Sequence, residues 1–366
     1  MKRLFPVLFL CLLPLSVAAQ SIATSIGTIS VEKLAGELKD PWAVAILPKG
    51  QFLISEKRGV LLLFDKTGER RRVSGVPKVV SKGQGGLLDV VAARDFATTG
   101  TIFLTFAKNQ ARGVGTTMVS ATLDTNRAKL SNVKTLFEMQ QGTVGGRHFG
   151  SRVVEGRDGF LYVTVGERGD RPSAQDLNTH NGSVVRVARD GRVPASNPFV
   201  STPNAQPEIW SFGHRNPQGA ALDSAGQLWV AEHGAKGGDE VNRVKKGANF
   251  GWPVISYGEH YSGRKIGEGT SKSGMEQPNF YWDPSIAPSG LMIYSGKMFA
   301  EWEGDFFIGS LKFDHIARLD RAGNSLRSGE QIKSRETARV RDVREAPDGS
   351  IWFLSVDRRG LFRISR

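Results

Sequence analysis

Glycine-headed turns followed by short apolar and aromatic runs recur along this chain, and that recurrence limits the fold more than any other feature. A turn at Pro48-Lys49-Gly50-Gln51 leads into FLIS and VLLLFD, Gly100 into TIFLTF, and Asp158-Gly159 into FLYVTVGE and later SVVRVARDG. The unit returns at Ala225-Gly226 with QLWVAE, at Glu303-Gly304 with DFFIGS and HIARLDRAG, and at Asp348-Gly349 with SIWFLS and LFRISR. Runs this short, bounded by Gly, Pro, Asn and Asp, read as strands rather than helices. Six such units predict an all-β chain folded as a six-bladed β-propeller of four-stranded antiparallel blades. The units recur at intervals of 45 to 78 residues, so the longer ones carry loop insertions, which commonly build a binding site. The strand at Ile26–Ala35, IGTISVEKLA, is expected to pair in the last blade and close the ring without a long open edge. Glycine is abundant, at 43 residues, and no composition break divides residues 20–366, which are expected to form one domain.

The opening MKRLFPVLFLCLLPLSVAAQ combines Lys2 and Arg3, an apolar run from Leu4 to Leu15 and a small-residue end at Ala18-Ala19, the pattern of a cleaved secretory leader covering residues 1–19. The run is too short to span a bilayer comfortably, and no stable membrane insertion is expected. Cys11, the only cysteine, falls in the leader, so the exported protein, periplasmic or secreted, would hold any cofactor without a thiol. Losing Lys2 and Arg3 takes the formal net charge from +13 to +11. The basic residues are scattered, apart from Glu69-Arg70-Arg71-Arg72, read as a solvated turn, and no basic helix or stacking platform points to nucleic acid.

Three segments carry candidate chemistry. GHRNPQGAALD places His214, Arg215, Asn216 and Gln218 at a Pro-containing corner before a strand, and a guanidinium fork beside amides suits carboxylate and quinone oxygens. GGRHFGSRVV sets His148 in a glycine-rich corner where its imidazole can face a cleft as a base for a hydroxyl proton; Glu167, after LYVTVG, could orient it. A His that merely caps a turn is the alternative. AEHGAKGGDEVNRV joins Glu232, Asp239 and Glu240 to a glycine-rich loop, and carboxylates with bare carbonyls are what Ca²⁺ requires, although the spacing is not that of an EF-hand. Gln84, Lys312, Arg339 and Arg341 stand at the edges of other units, the two arginines on alternate residues and so expected to point together.

In this setting the chain resembles the soluble pyrroloquinoline-quinone (PQQ) dependent sugar dehydrogenases, most of all the aldose sugar dehydrogenase branch of exported bacterial proteins. The motifs that carry the resemblance are QGGLLD, GGRHFGSR, GHRNPQG, GGDEVN with NFGWP, WDPSIAPSG, SLK and RVRD, in the family's order. The resemblance implies that aldoses are oxidised at C1 to lactones, with His148 as the base, hydride passing to C5 of PQQ, and the electrons going on to a quinone, a dye or another acceptor. It implies cofactor contacts from Gln84, Arg215, Asn216, Tyr261, Trp282, Lys312, Arg339 and Arg341, with Arg215 also near the C5 oxygen. It further implies a catalytic Ca²⁺ on the carbonyls of Gly234 and Ala235, and a second Ca²⁺ on Glu240 and the carbonyl of Phe250.

Three positions depart from the glucose dehydrogenase branch: Arg147 replaces an acidic residue, Glu167 a shorter carboxylate, and Ala235 a proline. They put the sugar-contacting surface in doubt, so broad aldose oxidation is expected rather than glucose specificity. A monomer or weak dimer is expected. The competing readings are a non-catalytic carbohydrate- or protein-binding propeller and a Ca²⁺-dependent propeller lactonase.

Overall fold

A computed structural model of the chain describes residues 20–140, 142–323 and 325–366; the expected leader lies outside them. Each sequence unit folds as an antiparallel meander, and six such sheets form a six-bladed propeller. Blade 1 is Pro41–Ile46, Phe52–Glu56, Val60–Phe64 and Arg70–Arg72. Blade 2 is Leu87–Ala92, Thr101–Gln110, Gly113–Asp124 and Lys129–Glu138. Blade 3 is Val153–Glu155, Phe160–Val165, Ser183–Ala188 and Ile209–Phe212. Blade 4 is Pro217–Leu222, Leu228–Glu232, Asp239–Arg243 and Phe280–Trp282. Blade 5 is Pro288–Ile293, Phe306–Ser310, Ile316–Ala322 and Ser325–Ile332. Blade 6 is Val340–Glu345, Ile351–Ser355 and Gly360–Ser365, completed by the N-terminal strands Gly27–Ala35 and Gln20–Thr24.

The closing pair runs antiparallel with Ser30 opposite Ser365 and Val31 opposite Ile364, so the first and last described strands share one sheet. Arg70–Arg72 is the outer strand of blade 1, not a turn. Arg71 donates from that strand to the carbonyls of Thr125 and Asn126 in the next blade, which sequence alone could not foresee because the partners are supplied by packing.

Strands buried on both faces explain the nearly unbroken apolar runs. Alternate side chains of one strand enter opposite inter-blade gaps: Phe306 and Ile308 pack toward blade 4, while Phe307 packs toward blade 6. In blade 1, Leu53 packs toward blade 2 and Phe52 and Ile54 toward blade 6.

The first strand of each blade lines the central axis, where four charged groups meet: Arg152, Asp89 and Asp342 are buried and Arg344 is half-buried. Arg152 donates to Asp89 at 2.9 Å and lies 3.2 Å from Asp342; Arg344 reaches the same two carboxylates at 3.2 and 3.1 Å. Two guanidiniums balance two carboxylates, and the group ties blades 2, 3 and 6 beneath one face of the ring. The loops that enter the inner strands open on that face.

Candidate active site

A cavity of about 1140 Å³ opens there, and the segments singled out by sequence converge on it. Gln84, His148, Arg215, Asn216, Tyr261, Lys312, Arg339 and Arg341 line it, together with Gly234 and Ala235.

His148 stands in the loop between blades 2 and 3 with φ 58°, held close against the blade 3 strand. That approach demands glycine on both sides of the contact. A Cβ on Gly150, itself at φ 59°, would lie 2.7 Å from the Thr164 carbonyl, and one on Gly166 would lie 2.2 Å from the His148 carbonyl. The His148 amide donates to Gln84 Oε1 at 2.7 Å. Its Nδ1 donates to Glu167 Oε1 at 2.8 Å, which leaves Nε2 as a free acceptor. Glu167 also accepts from the Gly169 amide. Burial lowers the His148 pKa below its ordinary value against the raising pull of Glu167, and Arg215 lowers it further, so the imidazole is neutral near pH 7. Arg168 braces this loop: it donates to the carbonyls of Arg147, Gly145 and Val114, with its guanidinium 3.4 Å from the Phe149 ring centre.

A group of cations lines the same cavity as His148. The Arg215 amide donates to Glu232 at 2.7 Å, its side chain reaches the His233 carbonyl at 3.2 Å, and burial lowers its pKa. Asn216 Oδ1 accepts from the Gly150 amide at 3.2 Å, joining this corner to the His148 loop. Arg341 donates to Gln218 at 2.6 Å; burial, with Arg339 and Arg152 beside it, pushes its pKa down to about 9. Arg339 precedes the strand in a left-handed conformation, φ 51°, yet lines the same cavity, so the pair converges through that kink as well as through alternation. Burial and then Arg341 lower the pKa of Lys57 as well. Cations that disfavour one another's charge inside one hollow fit a polyanionic ligand.

Sequence reading missed Lys57, His233 and Arg168. Lys57 and His233 each follow the second strand of a blade, as Glu167 and Lys312 do one residue further along. That recurrent position is the signal that could have found the first two. Arg168 gives no such signal, because its role is to hold backbone carbonyls.

Within the acidic loop, the carboxylates have distinct tasks. Asp239 accepts from the Gly234 amide, the Ser285 hydroxyl and the Ala287 amide at 2.7–2.9 Å, fixing the loop that presents the Gly234 and Ala235 carbonyls. Glu232 holds His214, which is fully buried, stacks on Phe250 and does not line the cavity. Glu240 lies away from the cavity and faces Glu232; burial, and then that neighbour, push its pKa up to about 8. Both carboxylates share the Asn242 amide nitrogen at 2.9 and 3.0 Å, and Asn242 Oδ1 is buried without a partner. A crowded carboxylate beside an orphaned carbonyl oxygen fits a hard cation. No group of three or more His, Cys, Asp or Glu that could hold a metal ion occurs among the described residues, so a hard cation bound here would need main-chain oxygens as well. Trp282 does not line the cavity; its ring packs edge-on to Phe280 at 4.9 Å beside the core between blades 4 and 5, and the next residues, Asp283 to Ser285, form the wall instead.

Among the described residues no helix is long and apolar enough to cross a membrane. The chain is 38% identical over 361 residues to an aldose sugar dehydrogenase, YliI, of Escherichia coli, covering 97% of both chains. The crystal structure of the soluble aldose sugar dehydrogenase of E. coli in its apo form superposes with a TM-score of 0.89 at 38% identity, covering 92% of this chain and 99% of that one. A PQQ-bound aldose sugar dehydrogenase from Streptomyces coelicolor superposes with a TM-score of 0.76 at 27% identity over 94% and 99% of the two chains. Residues 38–364 match the family model described as glucose/sorbosone dehydrogenase, and the chain belongs to that family.

Proposed function

We propose that this protein is a PQQ-dependent aldose sugar dehydrogenase that oxidises the C1 hydroxyl of aldoses to lactones. The observation that carries the reading is the placement of a neutral, carboxylate-oriented imidazole and a cluster of cations that outnumbers the lining carboxylates on one cavity. Arg339, Arg341, Lys312 and Lys57 would bind the carboxylates of PQQ, while Gln84, Asn216 and Tyr261 supply neutral contacts. Bound there, PQQ supplies a two-electron acceptor for the C1–H bond.

His148 Nε2 takes the C1 hydroxyl proton, and Glu167 stabilises the imidazolium that results. Arg215 places positive charge where negative charge develops. The Gly234 and Ala235 carbonyls would hold one Ca²⁺; Glu240, with Asn242 Oδ1 and the Phe250 carbonyl, would hold a second. We also propose that residues 1–19 are removed on export, that residues 20–366 act as one catalytic domain in the periplasm or medium, and that the electrons leave to a quinone or comparable acceptor.

Dye reduction by the purified protein with a panel of aldoses, before and after adding PQQ and Ca²⁺, tests the reading. Turnover that depends on reconstitution is expected. Failure to bind PQQ would leave a binding propeller instead.

A further inference from the structure

A second hollow of about 410 Å³ adjoins the first and shares Gln84, His148, Arg215 and Tyr261 with it, so the base stands between the two. Its remaining wall includes Arg147 and Arg171. These are cations beyond those that line the larger cavity, and neither is among the residues given above to PQQ. Arg171 leaves the short turn after Glu167 and lies 5.6 Å from the ring centre of Trp252, while Arg215 lies 5.2 Å from the same ring. One indole therefore has both guanidiniums within cation–π reach. Arg147 crosses Gly169, where a Cβ would meet its Nε at 2.8 Å, so the glycine makes room for the side chain.

The hydrogen-bond partners of these groups are neutral. Arg171 pairs with His260 Nδ1 at 2.7 Å, and burial, then Arg171 and Arg264, lower the pKa of that His. Arg215 donates to a carbonyl, and its Nε is buried without a partner. The one carboxylate in the hollow, Glu167, is committed to His148 and the Gly169 amide. Three guanidiniums beside the base thus face one carboxylate that is already engaged.

We infer that this hollow is an anion subsite for the distal end of the substrate, and that the preferred aldoses carry a carboxylate or phosphate remote from C1. The inference rests on the dehydrogenase reading above, since it places C1 at His148. Guanidinium forks recognise both anions through paired charge-assisted bonds, and a neutral hydroxymethyl group leaves those donors unanswered.

The test compares kcat/KM for glucuronate, glucose 6-phosphate and glucose on the reconstituted protein, and on Arg171→Gln and Arg147→Gln variants. An advantage of about tenfold or more for at least one acidic sugar is expected, with the acid-to-neutral ratio falling about tenfold in each variant. Whichever acid leads distinguishes a carboxylate from a phosphate subsite. Equilibrium binding of the same sugars, followed by calorimetry, reads the subsite without turnover. Glucose turned over as well as both acids, or an acid preference unchanged by the variants, would overturn the subsite and leave the dehydrogenase standing. Acid binding that the variants abolish, with no sugar oxidised, would do the reverse.

Discussion

Burial and Glu167 pull the His148 imidazole in opposite directions, and the balance sets the pH at which it can accept a proton. The acid limb of kcat/KM is expected to have its midpoint below the ordinary histidine value, because activity needs the neutral ring and burial lowers its pKa. Glu167 raises that pKa, so Glu167→Gln should move the acid limb to still lower pH. The same change loosens the tautomer and should reduce kcat; a pH–rate profile reads both effects. His148→Ala should cost about 10²–10⁴-fold in kcat while PQQ binding, followed by its absorbance, persists. Loss of PQQ binding in that variant would make the residue structural instead. Of these relationships the sequence showed the His in its glycine-rich corner and the carboxylate 19 residues on. It could not show that Nδ1 is the engaged nitrogen, because that depends on a 2.8 Å contact across the loop.

At the scale of elements, the site is a set of loops pinned by backbone contacts to neighbouring blades. Gly150→Ala would place a Cβ at 2.7 Å from a carbonyl in a left-handed conformation, and should cost about 1–3 kcal/mol in denaturant unfolding. An unchanged midpoint would show that the loop has room to move. Arg168 touches three loop carbonyls and, on the dehydrogenase reading, would act only through His148, as a positioning residue. Arg168→Gln should lower kcat about 10- to 100-fold with KM little altered, since a small displacement of the base is costly. Trp282 shows where an ordered motif misleads. WDPSIAPSG does border the cavity, but the end of strand Phe280–Trp282 aims the indole into the blade gap, and only the residues after the strand face inward.

Across the whole molecule, closure and the axial charges hold the six loops in register. Arg152→Met would leave Asp89 and Asp342 sharing Arg344 alone, and should destabilise by about 3–5 kcal/mol although the residue touches no ligand. Thermal unfolding checks this, and the fall should exceed that for any single rim cation. PQQ with Ca²⁺ binds only the closed ring on this reading. Saturation at about 100 times Kd should therefore add about 2.7 kcal/mol and raise the unfolding midpoint, an increment that chelation removes.

Short apolar runs between glycine turns determined the strands and their number, because burial on both faces leaves a local imprint on composition. Ordered motifs likewise marked most of the cavity's residues, because each sits at a strand end and carries a polar side chain where a buried strand would not. Only the tertiary structure decided that Lys57 joins the cations, that Trp282 and His214 turn away, and that Arg147 and Arg171 flank the base. Those outcomes depend on which blade lies next to which and on how each loop meets its neighbour. Such contacts join residues tens to hundreds of positions apart and leave no periodicity in the chain.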